Sequence, residues 1–168
     1  MGFKGYALIQ SNDLILSIPQ VITGTKTIPA FNHPFLATSL IDFWGNRWNM
    51  VMRNIFHKQI FSKRPTSSAW ERNLKGLQVF HMSGLMHEII MTIVHREINL
   101  EQWLFFMIQG IAIYLQLNCI PRTFRERIPK PLSTILTILF LGCTGKLFLA
   151  SFIRTEEYKQ FLAKYSVI

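Results

Sequence analysis

Cysteine is nearly absent: Cys119 and Cys143 are the two in 168 residues, and both sit inside apolar runs. That excludes a disulfide framework and a zinc site built on thiolates. Charge is also scarce, at 16% Asp, Glu, Lys and Arg, against about 25% in an average soluble protein. Acidic residues are the rarer sign, nine against eighteen basic ones, which leaves a formal charge of +9. Such a surplus fits nucleic acid, an anionic membrane surface or a polyanionic small substrate. No long apolar leader opens the chain: Tyr6-Ala7-Leu8-Ile9 soon gives way to Gln10, Asn12 and Asp13, too short for a secretory signal. Gly2 is followed at position 6 by Tyr rather than Ser or Thr, which does not support myristoylation. Membrane entry is therefore expected from internal segments. Gly-x-Ser-x-Gly elbows, phosphate loops, internal repeats and low-complexity tracts are all missing.

What the chain has in quantity is apolar surface, 49% hydrophobic and 13% aromatic residues, so disorder is excluded. Three stretches approach the roughly 20 residues that a helix needs to cross a bilayer: Gln78 to Val94, Trp103 to Ile120 and Leu132 to Ile153. Each carries a few polar residues, which are expected to face other helices or a cavity because polar groups against lipid are costly. Bases alternate along the chain. Arg53, Lys58, Lys63, Arg64, Arg72 and Lys75 precede the first run, and Arg96 alone separates the first two. Arg122, Arg125, Arg127 and Lys130 separate the second and third, and Arg154, Lys159 and Lys164 follow. Loops 53–75 and 121–131 are accordingly expected on the cytoplasmic side. A nucleic-acid groove would interleave its bases with stacking aromatics; here most aromatics lie in the runs, so nucleic acid is not the expected partner. The competing reading is a soluble α-bundle with three buried helices. Residues 1–30, broken by Pro19, Gly24 and Pro29, read as an irregular or interfacial lead-in.

On a helical wheel of about 100° per residue, Gln78, His81, Ser83, Gly84, His87, Glu88 and Thr92 fall on one side of the first run. Val79, Met82, Met86, Ile89, Ile90 and Ile93 fill the opposite arc. The aliphatic arc is expected against lipid or packed helices and the polar arc inward. Ser83 and Gly84 leave room for a ligand or another helix beside His87. His81 and Glu88 share a face. A zinc helix needs a second histidine four residues after the first, and position 91 is Met, so no metal is expected. Upstream, Ser39-Leu40-Ile41-Asp42 has the spacing of a capping box and is expected to open a helix running to Phe56. Asp42, Asn46, Asn49 and Arg53 would line one side of that helix, and Trp44 and Trp48 the other. Aromatics at this density suit a membrane interface or a groove wall.

Phe43-Trp44-Gly45-Asn46-Arg47-Trp48-Asn49 and, about forty residues on, Ser83-Gly84-Leu85-Met86-His87-Glu88 resemble the paired signatures of the membrane-bound O-acyltransferases, in particular the wax-synthase-like branch. Pro34-Phe35-Leu36-Ala37-Thr38-Ser39-Leu40 is similar to that branch's lead-in, and the resemblance covers roughly residues 30–118. It implies an all-α integral membrane bundle of about three transmembrane helices, with an interfacial helix carrying the Trp/Asn motif. Residues 31–118 would form the acyltransferase core, and 119–168 a basic loop, a C-terminal membrane helix and a tail.

The resemblance also implies His87 as the catalytic residue and Asn49 as its support. The expected reaction moves an acyl group from acyl-CoA, a co-substrate rather than a resident cofactor, to the hydroxyl of a lipid alcohol or terpenoid-like acceptor. An alcohol is a poor nucleophile at neutral pH, so His87 is the expected base and Asn49 the expected donor to the oxyanion. Trp44, Trp48, Ser83 and Gly84 are expected to line the substrate, with Arg47 and Arg53 nearest the CoA phosphates; Lys58, Lys63 and Arg64 are further candidates. Two departures stand out. Asn46 occupies a position that is usually basic, and family members are more than twice this long, so the chain corresponds to a C-terminal portion. The endoplasmic reticulum is the implied membrane. Acetyl transfer to a specialised metabolite, and a catalytically silent truncated paralogue associating with a full-length relative, are the alternatives.

Overall fold

A computed structural model describes residues 30–61 and 68–165; the expected lead-in up to residue 29, and Lys63 and Arg64, lie outside them. Every element among the described residues is helical, with no strand. The chain divides into two units, Met1–Arg64 and Pro65–Ile168.

In the first unit a single turn at Pro34–Leu36 leads to the short helix α1, Leu40–Asp42. Ser39 caps α1 as expected, its Oγ accepting from the Asp42 N–H at 3.0 Å. Asp42 reaches back one residue further than a capping box requires, and its Oδ2 accepts from the Thr38 N–H at 3.2 Å. The expected continuous helix to Phe56 does not form. The backbone widens into a π turn over Phe43–Arg47, closed by the Trp48 N–H donating to the Phe43 carbonyl at 2.8 Å. Trp48 is then extended, Asn49 is left-handed at φ 45°, and a new helix α2 runs Met50–Phe56. Asparagine is among the few residues that enter the left-handed region cheaply and is also a strong N-cap. Both properties place the break here.

In the second unit three long helices carry the fold. Helix α3, Ala69–His95, begins nine residues earlier than the apolar run, because Ser68 caps it by accepting from the Glu71 N–H at 3.1 Å. Arg72 and Lys75, counted above as loop bases, therefore belong to its first turns. Helix α4, Glu101–Asn118, packs between α3 and α6; the short α5, Arg122–Arg127, sits between Pro121 and Pro129; and α6 is Lys130–Tyr165. Asn73 Nδ2 donates to Asn118 Oδ1 at 3.0 Å, which brings the start of α3 beside the end of α4. The basic stretches 72–75 and 122–130 thus share one end of the unit. Arg154 grips the Glu101 carboxylate with both terminal nitrogens, at 2.7 and 2.5 Å, at the other.

Among the described residues two helices are long and apolar enough to cross a membrane, Ala69–His95 and Lys130–Ala150. The middle run, expected as a third span, forms an 18-residue helix, about 27 Å long. Its 18 residues include Glu101, Gln102, Gln109, Gln116 and Asn118, of which Gln102 and Gln109 are fully buried. The wheel of the first run holds in part, since Gln78 and His81 of the polar arc are exposed. Met82, Ile89 and Ile93 on its aliphatic arc are 51%, 59% and 73% exposed, while Gly84 and Glu88 on the polar arc are buried.

Candidate functional site

In the first unit Asp42 is the centre of a small polar network. Arg47 Nε donates to Asp42 Oδ2 at 2.7 Å, and Asn46 Nδ2 donates to Oδ1 at 3.3 Å. The same guanidinium reaches the His33 carbonyl at 3.2 Å and that of Asn32 at 3.5 Å. Two backbone bonds join the two arms of the loop, the Asn32 N–H donating to the Arg47 carbonyl at 2.8 Å and the Met50 N–H to the Ala30 carbonyl at 2.9 Å. Burial pushes the Asp42 carboxyl upward, but the donors Arg47, Thr38 and Asn46, with the Arg47 charge, outweigh it and hold the group below its ordinary value. Arg47 is therefore engaged in closing this loop, whereas Arg53 is exposed and, among the described residues, donates to the Asn54 side chain at 3.2 Å.

The tryptophans sit on the other side of the motif. Trp48 stacks on Phe43 with ring centroids 5.3 Å apart and meets Phe31 edge-on at 4.9 Å. Trp44 meets Phe43 at 5.1 Å. Asn49 lies between this cluster and α2. Its Oδ1 accepts from the Met52 N–H at 3.1 Å, so its oxygen is occupied as a cap. Its Nδ2 has no partner among the described residues and remains a donor.

In the second unit His87 is half-buried on α3. Its ring stacks on Phe106 of α4, centroids 4.8 Å apart and planes 27° apart, and meets Phe148 of α6 edge-on at 5.4 Å. Phe105 packs on both of those phenyl rings at 5.2 Å. Neither ring nitrogen of His87 is hydrogen-bonded to a described residue. Gly84 explains how α4 comes so close: a Cβ there would lie 3.0 Å from the Trp103 Cα and 3.2 Å from the Phe106 Cβ. What Gly84 admits is thus another helix. Ser83 is half-buried beside it.

His81 and Glu88 on that arc are engaged with α4. Trp103 Nε1 donates to His81 Nδ1 at 3.1 Å. Glu88, 7% exposed, closes the start of α4, where Leu100 is left-handed and offers no side-chain cap. Glu88 Oε1 accepts from the Asn99 and Leu100 N–H groups at 3.1 and 2.8 Å, and Oε2 from Gln102 and Trp103 at 3.2 and 3.5 Å. A carboxylate on the open N–H groups of a helix start is a favourable pairing. Neighbouring side chains on one helix thus serve different ends. Among the described residues no group of three His, Cys, Asp or Glu side chains is placed to hold a metal ion.

Phe106, Phe148 and Gln102 escaped the sequence reading. The signal for the α4 pair was present in the spacing of Gln102, Phe106 and Gln109, four and three residues apart on one helical face. Phe148 had no such signal, because only the tertiary packing of α6 brings it to His87.

The sequence profile of the Membrane bound O-acyl transferase family matches residues 27–108, which include both motifs. The chain is 36% identical over 143 residues to the Arabidopsis thaliana protein named "Probable long-chain-alcohol O-fatty-acyltransferase 9", a match covering 79% of this chain and 42% of that protein. It is 33% identical over 149 residues to "Acyl-CoA--sterol O-acyltransferase 1" of Arabidopsis thaliana, covering 83% and 43%. Identity to the "Long-chain-alcohol O-fatty-acyltransferase" of Simmondsia chinensis is 33% over 160 residues, covering 90% and 46%. The chain spans less than half the length of these relatives. No solved structure matches it significantly. With both motifs inside the matched region and relatives of one kind along most of its length, the chain belongs to the membrane-bound O-acyltransferase family, among its wax-synthase-like members.

Proposed function

We propose that the protein transfers an acyl group from acyl-CoA to the hydroxyl of a lipid alcohol, sterol or terpenoid-like acceptor within the endoplasmic reticulum membrane, with His87 as general base. The observation that carries this reading is the state of the His87 ring. It is bracketed by Phe106 and Phe148, yet its nitrogens have no partner among the described residues, while His81 and Glu88 beside it are engaged. A base must keep a nitrogen lone pair for the substrate. In the proposed reaction the alcohol oxygen attacks the thioester carbonyl carbon and its proton passes to the His87 imidazole. Asn49 Nδ2 donates to the oxyanion, a contribution of about 3 kcal/mol. The tetrahedral intermediate then expels the CoA thiolate, which recovers the proton from the imidazolium. The named substrates of the relatives support a lipid hydroxyl as acceptor, and an apolar surround favours transfer over hydrolysis. The basic end of the α3–α6 unit would face the cytoplasm, where Arg72, Lys75 and the 122–130 bases suit CoA phosphates.

The test is acyl transfer in membranes containing this chain, with labelled palmitoyl- and acetyl-CoA and a panel of long-chain alcohols and sterols. His87→Ala is expected to abolish ester formation, and His81→Ala to lower thermal stability while leaving the activity per folded molecule. Asn49→Asp keeps the cap oxygen but removes the N–H donor, so it is expected to fold normally and lose turnover by roughly a hundredfold. Equal residual activity for the two histidine variants, or full turnover in Asn49→Asp, would contradict the assigned roles.

A further inference from the structure

Gln102 breaks a rule of buried polar groups in a way that points to His87. Its side chain is 0% exposed. Its Nε2 donates to the Phe148 carbonyl of α6 at 2.6 Å, while its Oε1 is buried and unpaired among the described residues. Methionine has nearly the same length and shape and would leave no such orphan, so for stability alone an apolar residue is the better choice. Departures of this kind are expected where function requires them.

The residue closes a circuit around the imidazole. Glu88, next to His87 on α3, accepts the Gln102 backbone N–H at 3.2 Å. The Gln102 side chain then holds α6 at Phe148, whose ring meets His87 at 5.4 Å. One turn further along α4, Phe106 stacks on the other part of the same ring, at 4.8 Å. Gln102 is thus bonded to both helices that flank α4 at the level of His87. Gln109, two turns along on the same face, donates to Thr144 Oγ1 at 2.8 Å. That bond joins α4 to α6 as well, but one turn away from Phe148, so α6 stays in contact with α4 when Gln102 is changed.

We propose that Gln102 is a positioning residue for His87: by tying the Glu88-capped start of α4 to the Phe148 carbonyl, it holds the two phenyl rings that fix the imidazole's orientation. The role rests on the reading of His87 as the base. A base turned out of line with its substrate loses turnover more than affinity, since orientation matters most at the transition state.

Gln102→Met is the test. It is expected to match or exceed the native chain in thermal stability, to lower kcat about ten- to a hundredfold, and to leave both KM values within about twofold. Phe148→Leu removes the ring but keeps the carbonyl, so it is expected to lower kcat similarly, and Gln102→Met added to it should cost little more. The independent readout is proton NMR of histidine-labelled protein, with the His87 signal assigned from His87→Gln. Ring currents from Phe106 and Phe148 displace that signal in the native chain, and Gln102→Met should return it toward the free-histidine position. Unchanged kcat with an unmoved signal, or losses that multiply in the double variant, would overturn the proposal. If His87→Gln still transfers acyl groups, the reading of His87 as base falls, while the NMR shift still decides whether Gln102 orients the ring.

Discussion

Single side chains in the first unit divide their atoms between holding the backbone and keeping a polar group uncommitted. Asn49 is the clearest case, since its left-handed φ of 45° and its cap to Met52 use the backbone and the oxygen and leave the amide nitrogen. The sequence made Asn49 visible as a candidate but not as a cap, because the break depends on the π turn before it, which no residue pattern announces. Arg47 shows the converse. It reads as a phosphate ligand from its charge, and the fold instead sets it on Asp42 and two carbonyls. Because the folded Asp42 carboxyl lies below its ordinary value of 3.8, its contribution is complete above that value and is lost as pH falls through the lower folded one. Hydrogen exchange over residues 38–50, corrected for intrinsic rates, should therefore rise as pH falls below the ordinary carboxyl value of 3.8 in the native chain. In Asp42→Asn it should be raised already at neutral pH, with no acid step.

At the scale of helices, one substitution should have opposite signs at two positions of α3. Gly76 has open space where a Cβ would go, and Gly84 has the Trp103 backbone and the Phe106 Cβ. Gly76→Ala is expected to stabilise by up to about 1 kcal/mol through helix propensity. Gly84→Ala should destabilise by roughly 1–3 kcal/mol because α4 must move away; thermal unfolding in detergent measures both. The amphipathic division of α3 was legible in its sequence because a 3.6-residue repeat maps directly onto a buried and an exposed face. Its start at Ala69 was missed: the sequence reading began the run at Gln78 and took Arg72 and Lys75 as loop bases, although Ser68 and Glu71 have the spacing of a cap. Helix α4 was harder to read. Its glutamines look like interruptions of a lipid-facing span, whereas Gln102 and Gln109 are the fully buried seam against α6.

For the whole molecule, membership in a membrane-embedded family and two helices of spanning length lead to one expectation. The chain should remain with the membrane pellet after alkaline carbonate washing, and release into the supernatant would count against any spanning helix. Hydropathy could find the spans but not their pairing, which depends on a contact made between distant residues. Glu88 receives its last donor from Trp103, fifteen residues on in the chain. While α3 is being synthesised and α4 is not, that carboxylate has none of these partners, and an unpartnered acid in a spanning helix is costly. Once Asn99 to Trp103 have emerged, the helix start supplies the missing donors and the less apolar α4 gains a neighbour. Biogenesis should therefore treat α3 and α4 as one inserting hairpin, with Glu88 as the latch that makes delivery of the second helix a condition for stable entry of the first.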